Sequence, residues 1–505
     1  MAPSTQIDAL TSALVARFLR TNHYAETLQA FIREAGLPAD VGQVSGDDTN
    51  NWSIQTLLEE KKAFDHSVNF ERYGSSTKEN GLWTVPSPSQ PTIVSTPTSS
   101  NLLAASVELW QKPHGSETDA ETCASAPPSF IVSTGADRQI HLLQTTAGNA
   151  SCTSFSDVSD SPVLSYVSIF RGRYVLMTNM SGHLLLQHGS RILDSRKDHG
   201  KYAVKVAAHE EQGQHGSPSW FWVATAGWDA TVYLYRIEIS SEEPGSPTPV
   251  IGEPVARIKT NTNPESLLFV RNIDSGELLL LVSRRDSSYI YYYKVESRID
   301  YRPGQDEHST MTQHAIPECR LLGKQNLAPH SNAWVAFSPA HMALSPHDPG
   351  LLAVATSTLP HMKVIIVRLL FPTTKSLGEA NAASADSVTQ ASQALEALAL
   401  QNREDAAILM QVNTFAPQTA YSTPQVAWRP DGSGVWVNGD DGVVRGIETM
   451  TGKVIAMLKD GHEPGCKVRT VWAGYADIPY EGGGVKKEEW VISGGFDKRL
   501  IVWKV

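Results

Sequence analysis

The chain has 505 residues, 41% hydrophobic and 19% charged, with 53 acidic against 42 basic side chains and a formal net charge of −11. That acidic balance argues against nucleic acid as the main partner, which favours a basic face, and apolar runs no longer than a strand argue against a membrane span. The length would suit about three ordinary domains, but a repeat through most of the chain replaces that expectation with one large ring behind a small leading unit.

The opening MAPSTQIDAL has neither a basic start nor an apolar core, so no secretory leader is expected. Residues 1–37 read as two short helices. Ile7, Leu10, Leu14 and Phe18 recur at helical spacing, with Leu19 beside them. Thr21-Asn22-His23 interrupts, and Thr21 or Asn22 is placed to cap a second helix carrying Tyr24, Leu28, Phe31 and Ile32. Gly36, with Pro38 beyond it, ends that helix. Helices of about three turns cannot bury such stripes alone, which predicts self-association; the alternative is a hairpin packed on its own chain.

LVARFLRTNHYAETLQAFIREAG resembles the LisH motif, with Leu14, Phe18, Leu19, Tyr24, Thr27, Phe31 and Glu34 on its characteristic positions. The resemblance implies a homodimer in which each chain gives two helices to a four-helix bundle. Leu10, Leu14, Phe18, Leu19, Tyr24, Thr27, Leu28 and Phe31 are then the expected dimer contacts.

Residues 38–90 follow as an amphipathic helix and a linker. The helix is expected over 52–73, with Ile54, Leu57, Leu58, Phe64 and Val68 in one stripe. From Gly74 to about Ser100 the chain is rich in Ser, Thr and Pro, the composition of a linker.

Residues 91–505 repeat one hairpin seven times. Five copies carry a turn aspartate: FIVSTGADRQIHLLQ (130–144) has Asp137, FWVATAGWDATVYLYRI (221–237) has Asp229, and LLLLVSRRDSSYIYYYKV (278–295) has Asp286. GVWVNGDDGVVRGIE (434–448) has Asp440 and Asp441, and WVISGGFDKRLIVWKV (490–505) has Asp497. YVLMTNMSGHLLLQ (174–187) and LLAVATSTLPHMKVIIVRLL (351–370) lack one. Short strands flank each hairpin, such as QVAWRPDG (425–432) before and KVIAML (453–458) behind. A lone hairpin is only marginally stable, whereas seven four-stranded units make a mainly β fold, the seven-bladed β-propeller. The repeat resembles the WD-repeat family, and in the last unit the match reaches side chains. There His462, Ser493, Asp497 and Trp503 are implied to form one hydrogen-bonded set that braces the turn, while the other units keep only fragments of it. The last unit ends on its third strand, so TIV (92–94) is expected to close the ring by pairing near residue 503, and LLAASVELW (102–110) to start blade one.

The long insertions are 111–129, 209–219, 240–251, 296–318, 371–405 and 475–488. All fall between strands one and two or three and four, so one face is decorated and the other is a compact rim of tight turns. Val388, Ala391, Leu395 and Leu398 predict a helix in the largest insertion, covering the underside of the ring or docking a partner.

No phosphate loop, nucleophile elbow or zinc-type spacing occurs. Cys123, Cys152, Cys319 and Cys466 are scattered and read as free thiols of a reducing compartment, placing the chain in the cytoplasm, the nucleus or both. No cofactor or metal is expected. The leading expectation is therefore a non-catalytic scaffold for protein partners, of the kind found in transcriptional and chromatin complexes, ubiquitin ligases and microtubule-motor regulation. The absence of a W-D-x-R sequence weakens the ubiquitin-ligase receptor version. The alternative is a hydrolase in the central channel, which several buried carboxylates there would favour. Arg138, Trp228, Arg284, Arg285, Phe496, Lys498 and Arg499 are the expected partner contacts on the rim, since Trp and Arg are enriched at binding hot spots.

Overall fold

A computed structural model of the chain describes residues 4–43, 53–55, 83, 85–111, 128–145, 152–211, 219–239, 248–296, 316–329, 337–372, 390–480 and 484–505. The chain divides into two units, Met1–Glu79 and Asn80–Val505.

In the first unit, α1 (Ser4–Thr21) and α2 (Ala25–Ala35) form a hairpin. Gly36 ends α2 at φ 60, a left-handed geometry that favours glycine. The expected cap is corrected: the residue ahead of α2 is Tyr24, which makes no side-chain cap bond. Thr21 Oγ1 instead donates to the Arg17 carbonyl and Asn22 Nδ2 to that of Phe18, each at 2.9 Å. Both fold back onto the last turn of α1, where the Phe18 carbonyl also accepts the Asn22 N–H at 3.0 Å. The unit also continues past residue 37. Arg20 donates to the carbonyls of Ala39 and Val41 at 3.1 Å, and Gly42 lies so close to α1 that a Cβ there would sit 2.6 Å from the Arg17 nitrogen.

Ala16 and Leu28 are buried inside this hairpin; Leu14, Phe18, Leu19 and Phe31 are half-buried, and Tyr24 and Thr27 are exposed. Leu28 is thus used within the hairpin itself. The side chain of Leu10 and, apart from 53–55, the expected helix at 52–73 lie outside the described residues.

The second unit is seven four-stranded antiparallel sheets, a seven-bladed propeller. Blades one to six are consecutive meanders over 102–155, 163–197, 203–259, 264–326, 339–417 and 426–458. Blade seven takes its three inner strands from 468–504 and its outermost from Gln90–Val94. That strand pairs Thr92 with Val502, Ile93 with Ile501 and Val94 with Leu500, two residues from the expected register.

Seven apolar clusters fill the seven seams between neighbouring blades. Each sheet is covered on both faces, so its second strand reads as an unbroken apolar run. In LLLLV, Leu279 and Leu281 enter the seam with blade five, whereas Leu278, Leu280 and Val282 enter the seam with blade three.

The innermost strands share a device. Six of them carry a one-residue bulge at their start, at Leu103, Leu164, Val204, Glu265, Ala340 and Arg469. The next residue often binds the neighbouring blade. Ser165 Oγ accepts the Val206 N–H at 3.3 Å, Ser266 Oγ that of Met342 at 3.2 Å, and Thr470 Oγ1 that of Ala105 at 3.2 Å. His341 Nδ1 accepts from Val426 at 3.3 Å.

The linker also plugs a seam. Trp83 is buried between blades six and seven, its ring 5.0 Å from that of Trp436 and beneath the Arg429 guanidinium at 4.5 Å. A Cβ at Gly434 or Gly446 would meet the Trp83 ring at 2.5 and 2.3 Å, so both strand glycines are sites of close approach. Arg429 itself is fully buried and makes a two-bonded pair with Glu489 of blade seven, at 2.8 and 2.7 Å.

Two insertions differ from expectation. Strands Val468–Tyr480 and Gly484–Gly495 extend together as far as Tyr480 opposite Gly484, so 475–488 is mostly sheet. Helix α3 (Gln390–Ala407) is present, but Leu398 is 52% exposed. The helix is fixed by polar contacts: Glu404 accepts the Asn326 N–H and Gln401 donates to the Pro329 carbonyl, each at 2.7 Å. It is therefore tied to the outermost strand of blade four, not to the underside. Val388 lies outside the described residues.

Candidate interaction surface and central channel

Antiparallel order puts the turns between strands two and three, and the links between blades, at one face of the ring. In blade seven the turn is braced by a relay. His462 Nδ1 meets both Asp497 carboxylate oxygens at 3.1 and 3.0 Å, and its Nε2 meets Ser493 Oγ at 2.8 Å. Trp503 donates its indole N–H to the same hydroxyl at 2.9 Å. Burial by itself would push Asp497 up, but the hydrogen bond with His462 and those from the Glu463 and Arg499 amides outweigh it and hold the carboxyl at about 2.

Burial pushes Cys466 up to about 11. Among the described residues, His462, Cys466 and Asp497 come nearest to a metal-ligand set, with ligand atoms within 4.8 Å. The imidazole and carboxylate are already spent on each other, and the Asp497 N–H donates to Cys466 Sγ at 3.1 Å, so the trio is a turn brace.

Blade three has nearly the same relay, which the sequence reading missed. His199 Nδ1 meets Asp229 at 3.1 Å and its Nε2 meets Thr225 at 2.9 Å, while Tyr235 occupies the Trp503 position and turns to Asp198. The signal was Asp198-His199-Gly200 ahead of the blade. Blades one and six use a cheaper brace four residues on, Asp137 with His141 at 2.8 Å and Asp441 with Arg445 at 2.5 Å. Asp286 is a correction. Its turn is one residue longer, Ser283 pairing Ile290 where Gly494 pairs Leu500, and the brace is Ser287 to Tyr291 at 3.0 Å.

The expected rim residues do lie in these turns, with different availability. Arg138, Arg285, Phe496, Lys498 and Trp228 are exposed, whereas Arg284 is half-buried, bonded to Tyr291 and Thr262 at 3.1 Å. Arg285 pairs with Glu265 at 2.7 Å and Arg499 with Glu463 at 3.0 Å. Two of the five rim cations are thereby compensated. The aromatic groups are not. Among the described propeller residues, six Trp, Tyr or Phe side chains are exposed; Tyr202, Trp228, Phe415, Tyr421 and Phe496 are on the rim face, and Tyr475 is on the other. Tyr202 and Trp228 pack together at 5.2 Å.

The channel bounded by the inner strands holds a cavity of about 570 Å³. Lys205 and His341 line it, with Arg469 at the neighbouring bulge. Burial, reinforced by Arg469, pulls Lys205 down to about 8. Burial and Lys205 pull His341 down to about 3. Further along, Glu108 accepts the Ser106 and Ser168 hydroxyls at 2.8 Å, and burial pushes its carboxyl up. Glu108 is the one carboxylate among the described lining residues.

Fold and geometry together define a protein that carries a LisH hairpin ahead of a seven-bladed propeller. Family models match a part of each unit. Residues 9–39 match the model described as UCP007778, LisH domain, and residues 328–476 match that described as UCP007778, beta-propeller domain. A comparison with curated proteins gives no match.

Proposed function

We propose that the protein is a non-catalytic interaction scaffold, paired through its LisH helices and presenting the propeller rim to protein partners in a larger assembly. The observation that carries this reading is the placement of exposed aromatic side chains, five of six on the rim face among the described propeller residues. Aromatic side chains with large exposed area anchor protein interfaces. Because Arg285 and Arg499 already have acidic partners, the aromatic groups take the leading role and the arginines a steering one. A transcriptional, ubiquitin-ligase or motor-regulating assembly would each suit such a scaffold. The test is quantitative affinity capture from the native cell. Changing Tyr202, Trp228 and Phe496 together to Ala should remove the captured partners and leave the melting temperature nearly unchanged; retention of every partner would move the interface to the decorated face.

A further inference from the structure

We propose that the rim-side end of the central channel is a binding site for one anionic group, a carboxylate or a phosphate, held by Lys205, Arg469 and the His341 ring. The site begins at the position after each inner-strand bulge. In blades two, four, five and seven that position is an acceptor for the next blade's backbone N–H. In blade three it is Lys205, whose ammonium has no lone pair to offer. Lys205 therefore cannot stitch a seam. It lines the lumen instead, and among the described residues neither it nor Arg469 has a hydrogen bond or ion pair to a protein group.

Charge balance points the same way. Lys205 and Arg469 lie close enough to repel, and the carboxylate that acts on both is Glu265. Glu265 is already bonded to Arg285 at 2.7 Å. His341 adds a neutral donor: with Nδ1 accepting from Val426, the ring proton is on Nε2. Lys205 and the His341 N–H thus line a cavity of about 570 Å³, larger than the anionic group alone, and Arg469, next in sequence to the lining residue Thr470, adds a second cation without a full counter-charge beside it. The rest of the ligand would extend along the lumen. Glu108 is four residues beyond Ala104 on the inner strand of blade one and so about 13 Å along it, far enough not to oppose the anion directly.

The group could belong to a small phosphorylated or carboxylated molecule, or to an acidic side chain inserted from the rim. This site shares no residue with the rim aromatics, so it stands or fails apart from the scaffold reading.

The experiment uses the full chain in chloride buffer of fixed ionic strength. Inorganic phosphate is one probe, and a short peptide with a central Glu, beside its Gln counterpart, is the other. Thermal unfolding and titration calorimetry are read for wild type, Lys205→Met, Arg469→Met and Lys205→Arg. Wild type should bind at least one probe, with a raised melting temperature. The Met variants should weaken that binding at least tenfold, and Lys205→Arg should keep it. Lys205→Met should also melt higher than wild type without ligand, by on the order of 3 °C, because it removes a half-buried cation that no side chain among the described residues bonds. Binding of phosphate alone identifies a small anion. Peptide binding lost on Glu-to-Gln change identifies an acidic side chain. If wild type binds neither probe, or the Met variants bind as wild type does, the site is overturned.

Discussion

At the scale of single residues, the turn braces make a pH-dependent prediction. Asp497 sits below its unfolded value of about 3.9, at about 2 in the folded chain. Its stabilisation is therefore present above about pH 4 and disappears as pH falls through about 2. Asp497→Asn should cost about 2 kcal/mol at pH 7, and the gap from wild type should close as pH is lowered toward 2. Denaturant melts at pH 7, 5 and 3 would check this; an unchanged gap at pH 3 would assign the loss to shape instead of charge. The residue scale is also where sequence was least legible. Asp137, Asp229, Asp441 and Asp497 brace their turns, but Asp286 does not, because one inserted residue hands the task to Ser287. Lys205 looks like an ordinary strand residue until the bulge before it assigns it to the channel, with Arg469 at a bulge nearby.

At the scale of elements, the seven hairpins could be read because every blade is covered on both faces and so needs unbroken apolar strands. The plug could not, since Trp83 sits in a segment whose composition says only linker. Its trace was on the other side of the contact, in Gly434 and Gly446, two glycines inside strands. Trp83→Ala should cost about 3–5 kcal/mol, the range for emptying a buried indole site. Two shortened chains separate the plug from the clasp. One beginning at residue 89 keeps the closing strand and loses Trp83, and should fold with a lowered melting temperature. One beginning at residue 100 loses both and leaves blade seven with a raw edge, so it should aggregate. Equal stability of the two would show that the closing strand contributes nothing.

At the scale of the whole molecule, the LisH hairpin leaves Leu14, Phe18, Leu19 and Phe31 only half-buried within its own unit. Removing residues 1–43 should convert a dimer to a folded monomer by light scattering, and an unchanged mass would refute pairing through these helices. The acidic net charge, by contrast, said little about the binding sites. It sums over a chain in which Arg285 and Arg499 are locally matched and Lys205 and Arg469 are not.

The clasp of the ring joins Gln90–Val94 to the strand Leu500–Lys504, two segments at opposite ends of the propeller sequence. A nascent chain must carry the first of them, unpaired, while six blades are synthesised. Only when the final strand leaves the ribosome does it acquire a neighbour. The slowest, least local contact in the molecule is thus also the last that can form, and until then the blades are an open stack with two exposed ends.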